Sequence, residues 1–294
     1  MQTQDSQVIR VGDVKLCAES IGPPGDPPLL LIGNSMLTWP DGLCERLANG
    51  GRLVVRYDLR DTGHSTFVAP EAPAYTLRDL VADAAGLLDA LGLARAHVAG
   101  YGVGGWIAQL LALDHPTKVA SLTLVATRPT APGKADPDLP EHAPVVMELF
   151  RTPQPDWANR QEVVDAMAAS GRVLAGGEPY DEAAARELAG RIFDRAAAAH
   201  PGADPGRLQP SNHLAIAFGA MRSGERWRER LGNIAVPTLV IHGEDDPFFP
   251  LGNGEALARE IPSAELLVLS RTGRDLPARV WDEVAAAMLR VSSG

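Results

Sequence analysis

The chain has 294 residues, 45% of them hydrophobic, and a formal net charge of −10 at neutral pH. That length and apolar content bury a full core, as one large domain or as a domain carrying an insertion. The acidic balance disfavours nucleic acid, whose protein partners usually present a basic face, and suits a protein handling small molecules.

The segment Met1–Gln7 has neither a basic n-region nor an apolar h-region, so no secretion signal is expected. Apolar runs such as Leu29–Ile32 and Leu122–Ala126 are far shorter than a membrane span. The two cysteines, Cys17 and Cys44, make no metal-ligand spacing and fit a reducing compartment. The expectation is a cytoplasmic protein, monomer or homodimer, with no metal, no membrane partner and no nucleic-acid partner.

In chain order, Val14–Ile21 alternates like an antiparallel strand, while Pro28–Ile32 and Leu53–Tyr57 are short apolar strands of the kind buried on both faces. Apolar residues at helical spacing run from Leu77 to Leu91, and Gly92 follows as a stop. Val98-Ala99 leads into a glycine turn, Trp106–Leu113 continues as helix, and Val119–Ala126 is the next strand. Beyond Arg128 the pattern changes. Pro129, Pro132, Pro137, Pro140 and Pro144 mark a loop. Helical stretches over Val145–Phe150, Arg160–Leu174, Asp181–Ala199 and Ser211–Glu229 follow without a strand signal. Strands then return at Pro237–His242 and Leu266–Leu269, with helices over Gly254–Ile261 and Val280–Val291. This alternation predicts an α/β fold with a mostly parallel sheet covered on both sides. Residues 1–127 and 232–294 form its core, and 128–231 form an inserted helical cap.

The run His97-Val98-Ala99-Gly100-Tyr101-Gly102-Val103-Gly104-Gly105 has the frame of a nucleophile elbow, a strand followed by G-x-S-x-G and a helix. Here Gly102 stands where the serine belongs. Gly100, Gly102 and Gly105 also fit the G-x-G-x-x-G spacing. The acidic residue about twenty positions on is missing, because Ser121 to Thr123 stand there, so a dinucleotide site is disfavoured.

Further landmarks accompany the elbow: Leu31-Ile32-Gly33-Asn34, Tyr57-Asp58-Leu59-Arg60-Asp61-Thr62-Gly63-His64-Ser65, and Ile241-His242-Gly243-Glu244-Asp245-Asp246-Pro247. In this order the chain resembles the α/β-hydrolase superfamily over nearly its whole length. Within the superfamily it is similar to the aclacinomycin methylesterase group of anthracycline biosynthesis. Matching stretches include Trp39-Pro40-Asp41, Arg60-Asp61-Thr62-Gly63, Arg95-Ala96-His97-Val98 and Val236–Ile241. The resemblance implies a Ser-Asp-His triad in chain order, of which only the acid, Asp246, remains. The histidine slot falls in Ser270–Asp275, and Arg274 occupies it. A guanidinium stays protonated near neutral pH and cannot act as the base, although it can pair with Asp246 or bind an anion.

An oxyanion hole built from backbone N–H groups survives loss of the serine. Val103 supplies one expected donor and Asn34 or Ser35 the other. Gly33, Gly102, Trp157, Tyr180, Phe218 and Met221 are expected to line the substrate pocket, with Tyr101 beside the elbow as a further catalytic candidate. Cap residues Phe193 and Trp227 divide between cap core and ligand wall. His64 is a candidate for the site rim. His142, His200 and His213 read as surface or capping residues, and Asp58, Arg60 and Asp61 as a structural network. Gly102 is expected to leave space at the pocket floor, with the main pocket between cap and sheet and Arg274 at one side. These observations suggest a cofactor-free, non-hydrolytic enzyme acting on an aromatic polyketide-type intermediate, by addition, cyclisation, carbon–carbon bond formation or decarboxylation. The alternatives are a non-catalytic metabolite-binding protein and, behind it, a residual hydrolase.

Overall fold

The computed structural model describes residues 6–67, 74–131, 136–177, 179–199 and 222–292. Its strands are β1 (Gln7–Val11), β2 (Val14–Ile21), β3 (Pro28–Ile32), β4 (Leu53–Tyr57), β5 (Ala96–Tyr101), β6 (Val119–Val125), β7 (Thr238–Gly243) and β8 (Ala264–Leu269). They form one eight-stranded sheet in the order β1-β2-β4-β3-β5-β6-β7-β8. The β1–β2 and β2–β4 pairs are antiparallel and the rest are parallel. The helices are α1 (Asp41–Asn49), α2 (Leu77–Ala90), α3 (Val103–Asp114), α4 (Pro144–Leu149), α5 (Arg160–Leu174), α6 (Glu182–Ala199), α7 (Gly252–Glu260) and α8 (Trp281–Val291).

The period of two along each strand sends alternate residues to opposite faces, and each face has its own core. Leu30, Ile32, Val55, Val98, Leu122, Leu124 and Val240 pack with α2 and α3. Leu29, Leu31, Val54, Ala99, Val125, Leu239 and Ile241 pack with α1 and α8. Both faces are therefore apolar, which is why these strands read as continuous hydrophobic runs. Helix α2 starts where Thr76 accepts from the Asp79 N–H and Asp79 returns a bond to Thr76, and it stops before Gly92, whose φ is +71°.

Between β6 and β7 the described residues hold helices α4 to α6 and no strand. The insertion is tied to the core near the carboxyl ends of the strands. The Gly273 N–H donates to Ala175 O at 3.0 Å and the Arg274 N–H to Leu174 O at 2.8 Å, joining the end of α5 to the loop after β8. From α6, Arg195 reaches the fully buried Asp58 at 2.6 Å and Arg191 reaches Asp41 at 3.0 Å. Ile192, between them, packs on Cys17, Met36 and Leu37.

Several expectations need correction. Strand β1 and helix α1 were not anticipated: β1 is a short edge strand with mostly exposed residues, and α1 follows directly on Pro40. The expected helix over Ser211–Glu229 does not hold where the structure describes it. Residues 222–227 are irregular and Arg228–Asn233 is a 3-10 turn, while 211–221 lie outside the described residues. Among the described residues no helix is long and apolar enough to cross a membrane.

Candidate functional site

β5 ends at Tyr101, and the chain reverses at Gly102, with φ +57° and ψ −115°, straight into α3. The turn is held from both sides. The Gly102 N–H donates to Val125 O at 3.0 Å, and Thr127 Oγ1 donates to Gly102 O at 2.7 Å. Glycine at 104 permits the close approach of α3 to β3, since a Cβ there would stand 2.1 Å from Ile32 O. The elbow frame read from the glycine spacing is thus built as a sharp strand-to-helix turn.

The space above Gly102 is not open. A Cβ on Gly102 would lie 2.8 Å from Arg274 Nη2. The expected room at the pocket floor is taken by the guanidinium, because deleting a side chain at the tip of the elbow leaves a gap that a long cation from the loop after β8 can fill. Arg274 is fixed there by several contacts. Nη1 donates to Ala126 O at 3.3 Å and lies 3.6 Å from Asp246 Oδ2. The latter is an ion pair too long to count as a hydrogen bond. Aromatic rings surround the cation: its central carbon is 4.4 Å from the Phe248 centroid, 5.0 Å from that of Phe249 and 5.7 Å from that of Tyr101. Each such contact contributes about 0.5–2 kcal/mol, more where water is excluded. The Tyr101 hydroxyl donates to Arg274 O at 2.6 Å, so Tyr101 holds the Arg274 backbone as well as its head group. Burial pushes the Tyr101 phenol well above its ordinary pKa, which keeps it a donor.

Asp246 is fully buried. Its Oδ1 accepts the N–H groups of Phe248 at 2.8 Å and Phe249 at 3.1 Å, while Oδ2 has no hydrogen-bond partner among the described residues. That oxygen faces Arg274 at 3.6 Å and His242 Nε2 at 3.7 Å. His242 does not replace the missing base. Its Nε2 is 2.6 Å from Phe249 O and so carries the proton, and burial lowers its pKa, keeping the ring neutral. Within 4 Å of a Cβ at position 102 the described side chains offer only the Arg274 guanidinium, which donates and does not accept.

The expected oxyanion donors divide. The Val103 N–H lies in the first turn of α3, where backbone donors have no intrahelical acceptor. The Asn34 and Ser35 N–H groups instead point to Thr38 Oγ1, at 3.1 and 3.2 Å, and so are engaged within their own loop. Gly33 is covered by the same threonine, whose Cβ would be 2.5 Å from a Cβ at 33.

Other expected residues fall elsewhere. Tyr180 donates to Ala168 O at 2.8 Å and stacks under Arg172, bracing the α5 end within the insertion. Trp157 is half-buried in a turn ahead of α5, and none of the contacts at Gly102, Arg274 and Asp246 described above involves it. Trp227 is core, donating to Gln109 Oε1 at 2.9 Å, and Phe193 is buried in α6. His64 is exposed. Asp58 accepts from the Met36 and His64 N–H groups, and Arg60 pairs with Asp83, so this turn is a structural network. Phe218, Met221, His200 and His213 lie outside the described residues. His142, expected as a surface or capping residue, packs on Phe150, Phe248 and Phe249 and bonds to Phe248 O. The Phe248-Phe249 pair was missed, although two consecutive phenylalanines directly after Asp246-Pro247 were a visible signal. A cavity of about 440 Å³ lies at the opposite end of the sheet, lined by Arg226, Arg228, Glu229, Gly232 and Glu260. Among the described residues no cluster of His, Cys, Asp and Glu has a geometry that could hold a metal ion.

Comparison with known proteins supplies the context for this site. The chain is 33% identical over 301 residues to rhodomycin D methylesterase DauP of Streptomyces sp. (strain C5), covering 96% of each. It is 32% identical, with the same coverage, to rhodomycin D methylesterase DnrP of Streptomyces peucetius. Its fold matches the 2-hydroxy-6-oxo-6-phenylhexa-2,4-dienoate hydrolase of Rhodococcus sp. strain RHA1 over the full length of both chains, with a TM-score of 0.73 at 18% identity. Residues 31–277 match the family model for the alpha/beta hydrolase fold, and the chain belongs to that family.

Proposed function

We propose that this protein is a cofactor-free, non-hydrolytic member of its family that binds a polycyclic aromatic intermediate of polyketide type. The observation that carries this is the replacement at the elbow: no oxygen or sulfur nucleophile, and a guanidinium 2.8 Å from where a Cβ on Gly102 would be. An acyl-enzyme requires a side-chain nucleophile. A fixed cation at the same point suits instead a reaction in which negative charge develops on an enolate or phenolate, aided by the Val103 N–H. Orientation of the reacting carbons then supplies the rest of the catalysis for cyclisation, carbon–carbon bond formation or decarboxylation. The helical insertion, residues 128–231, serves as the cap over residues 1–127 and 232–294. The relatives named for rhodomycin D support the ligand class.

A second function, carriage of a metabolite without turnover, is favoured by one feature. Arg274 is already caged by aromatic rings and faced by Asp246, and the Asn34 and Ser35 N–H groups are engaged by Thr38. Incubation with a large molar excess of an anthraquinone bearing a carboxyl or methyl-ester side arm separates the two, with products followed by mass spectrometry. An enzyme converts many equivalents, and a carrier binds one equivalent unchanged. A nitrophenol burst from nitrophenyl acetate, stoichiometric with protein, overturns both.

A further inference from the structure

Among the described residues the buried arginines are Arg52, Arg56 and Arg128. Two of them are fully partnered. Arg52 bonds to Ser292 Oγ and to the carbonyls of Gly51 and Ser292. Arg56 pairs with Glu19 and Asp41, both at 2.7 Å, and donates to Trp39 O. Arg128 is as buried, at 9% exposure, yet its Nε has no hydrogen-bond partner and no carboxylate pairs with its guanidinium among the described residues. The carboxylate of Asp136, in the loop that follows, is committed to Arg226 and Arg228. Desolvation lowers the Arg128 pKa from its ordinary value, although Glu141 and Asp136 oppose the shift at longer range. A desolvated charge without a partner is costly, and buried charges are as a rule paired.

Its place in the fold ties Arg128 to the candidate site. It follows β6 at the carboxyl end, the edge where ligands of such sheets gather. In the same segment Ala126 O holds Arg274 and Thr127 Oγ1 holds Gly102 O. The Arg128 guanidinium stacks on Phe249 at 5.6 Å, the ring that also stacks on Arg274. The Arg128 backbone is fixed by Gln109, whose side chain donates to Arg128 O at 3.1 Å. Two cations therefore share one aromatic ring, and among the described residues only Arg274 of the two has an anionic partner.

We propose that Arg128 is the acid-recognising residue of the ligand site and takes the carboxylate of an aromatic acid on its planar fork. The shape of the group favours a carboxylate, which it can meet with two parallel N–H donors. Arg128 holds the ground-state acid, while Arg274, already paired, meets charge that develops during reaction. This rests on the polycyclic-ligand reading for the size of the ligand, but not for its charge. A ligand with a free acid places the protein after a step that hydrolyses an ester.

The test uses benzoate, anthraquinone-2-carboxylate and uncharged 9,10-anthraquinone with the whole protein. In a benzoate titration the arginine Nε–H resonance that disappears in R128M should move. By fluorescence quenching, wild type should prefer the carboxylate over the neutral quinone by at least tenfold. R128M should lose that preference, and R128K should keep part of it. Without ligand, R128M should unfold in urea at the same concentration as wild type or a higher one, since it removes an unpaired buried charge. An unmoved Arg128 resonance in benzoate, a preference retained in R128M, or an R128M that unfolds early overturns the proposal. Should neither quinone bind while benzoate moves Arg128, the polycyclic reading falls and the acid site stands.

Discussion

Gly102→Ser is the substitution that restores the missing nucleophile on paper, and the structure predicts that it damages the protein without restoring chemistry. At φ +57° and ψ −115° a side chain is strained whatever the surrounding space, at a cost of about 1–3 kcal/mol. Its Cβ also meets Arg274 Nη2 at 2.8 Å, so the end of the guanidinium must shift, a small movement for a flexible side chain that loosens its contacts with Phe248, Phe249 and Asp246. Loosening the stacking adds about 0.5–1 kcal/mol, for an expected total of roughly 1.5–4 kcal/mol. Urea unfolding of G102S, G102A, R274A and the G102A/R274A pair measures the two parts separately. G102A should cost about 0.5–1 kcal/mol less in the R274A background than alone, because the clash then disappears and only the backbone strain remains. Nitrophenyl acetate hydrolysis by G102S should stay at background, since His242 Nε2 donates to Phe249 O and only the Arg274 guanidinium, among the described side chains, stands within 4 Å of the new Cβ. Additive stabilities in the G102A/R274A cycle, or robust esterase activity in G102S, refute the reasoning.

The remaining predictions concern the surroundings. Asp246→Asn keeps an acceptor for the Phe248 and Phe249 N–H groups but leaves Arg274 without its counter-charge, and should cost about 3 kcal/mol in urea unfolding. Adding R274M should recover most of that loss, and a D246N protein as stable as wild type would show the pair to be dispensable. Burial beside Arg52 and Arg95 lowers the His97 pKa from 6.5 to about 4. Between those values the unfolded imidazole binds a proton that the folded one refuses. This contribution, on the order of 3 kcal/mol, is therefore present above pH 6.5 and lost as pH falls toward 4. In H97Q the slope of stability against pH over that window should flatten. Arg195→Met removes the arginine from the fully buried Asp58, leaving it the Met36 and His64 N–H groups, and should cost about 1–3 kcal/mol. Limited proteolysis should then cut the α4–α6 insertion faster than in wild type, and unchanged cleavage would show that Arg195 does not hold it down.

Much of the site's chain order was legible because the fold's landmarks are local. Strand runs such as Leu29–Ile32, the glycines from Gly100 to Gly105 and the Gly243–Pro247 loop each announce a turn or strand from residues only a few positions apart. What fills the space between landmarks was not legible. Arg274 lies 172 positions from Gly102 in the sequence and within reach of its Cβ position in the structure. Thr38 was an unremarkable residue until its hydroxyl turned out to occupy the Asn34 and Ser35 N–H groups.

The sequence by itself determined most of the sheet, its two covered faces, and the elbow with a glycine at its tip. These follow from hydrophobic period, glycine placement and residue identity, which need no neighbours. Only the tertiary structure decided that the vacated nucleophile position is held by a caged cation rather than left open. It also decided that Phe248 and Phe249 belong to that cage with His142 packed behind them, and that among the described residues no carboxylate pairs with Arg128 where Arg56 has two. Pairing and packing depend on which side chains converge from distant strands, and chain spacing carries no record of that convergence.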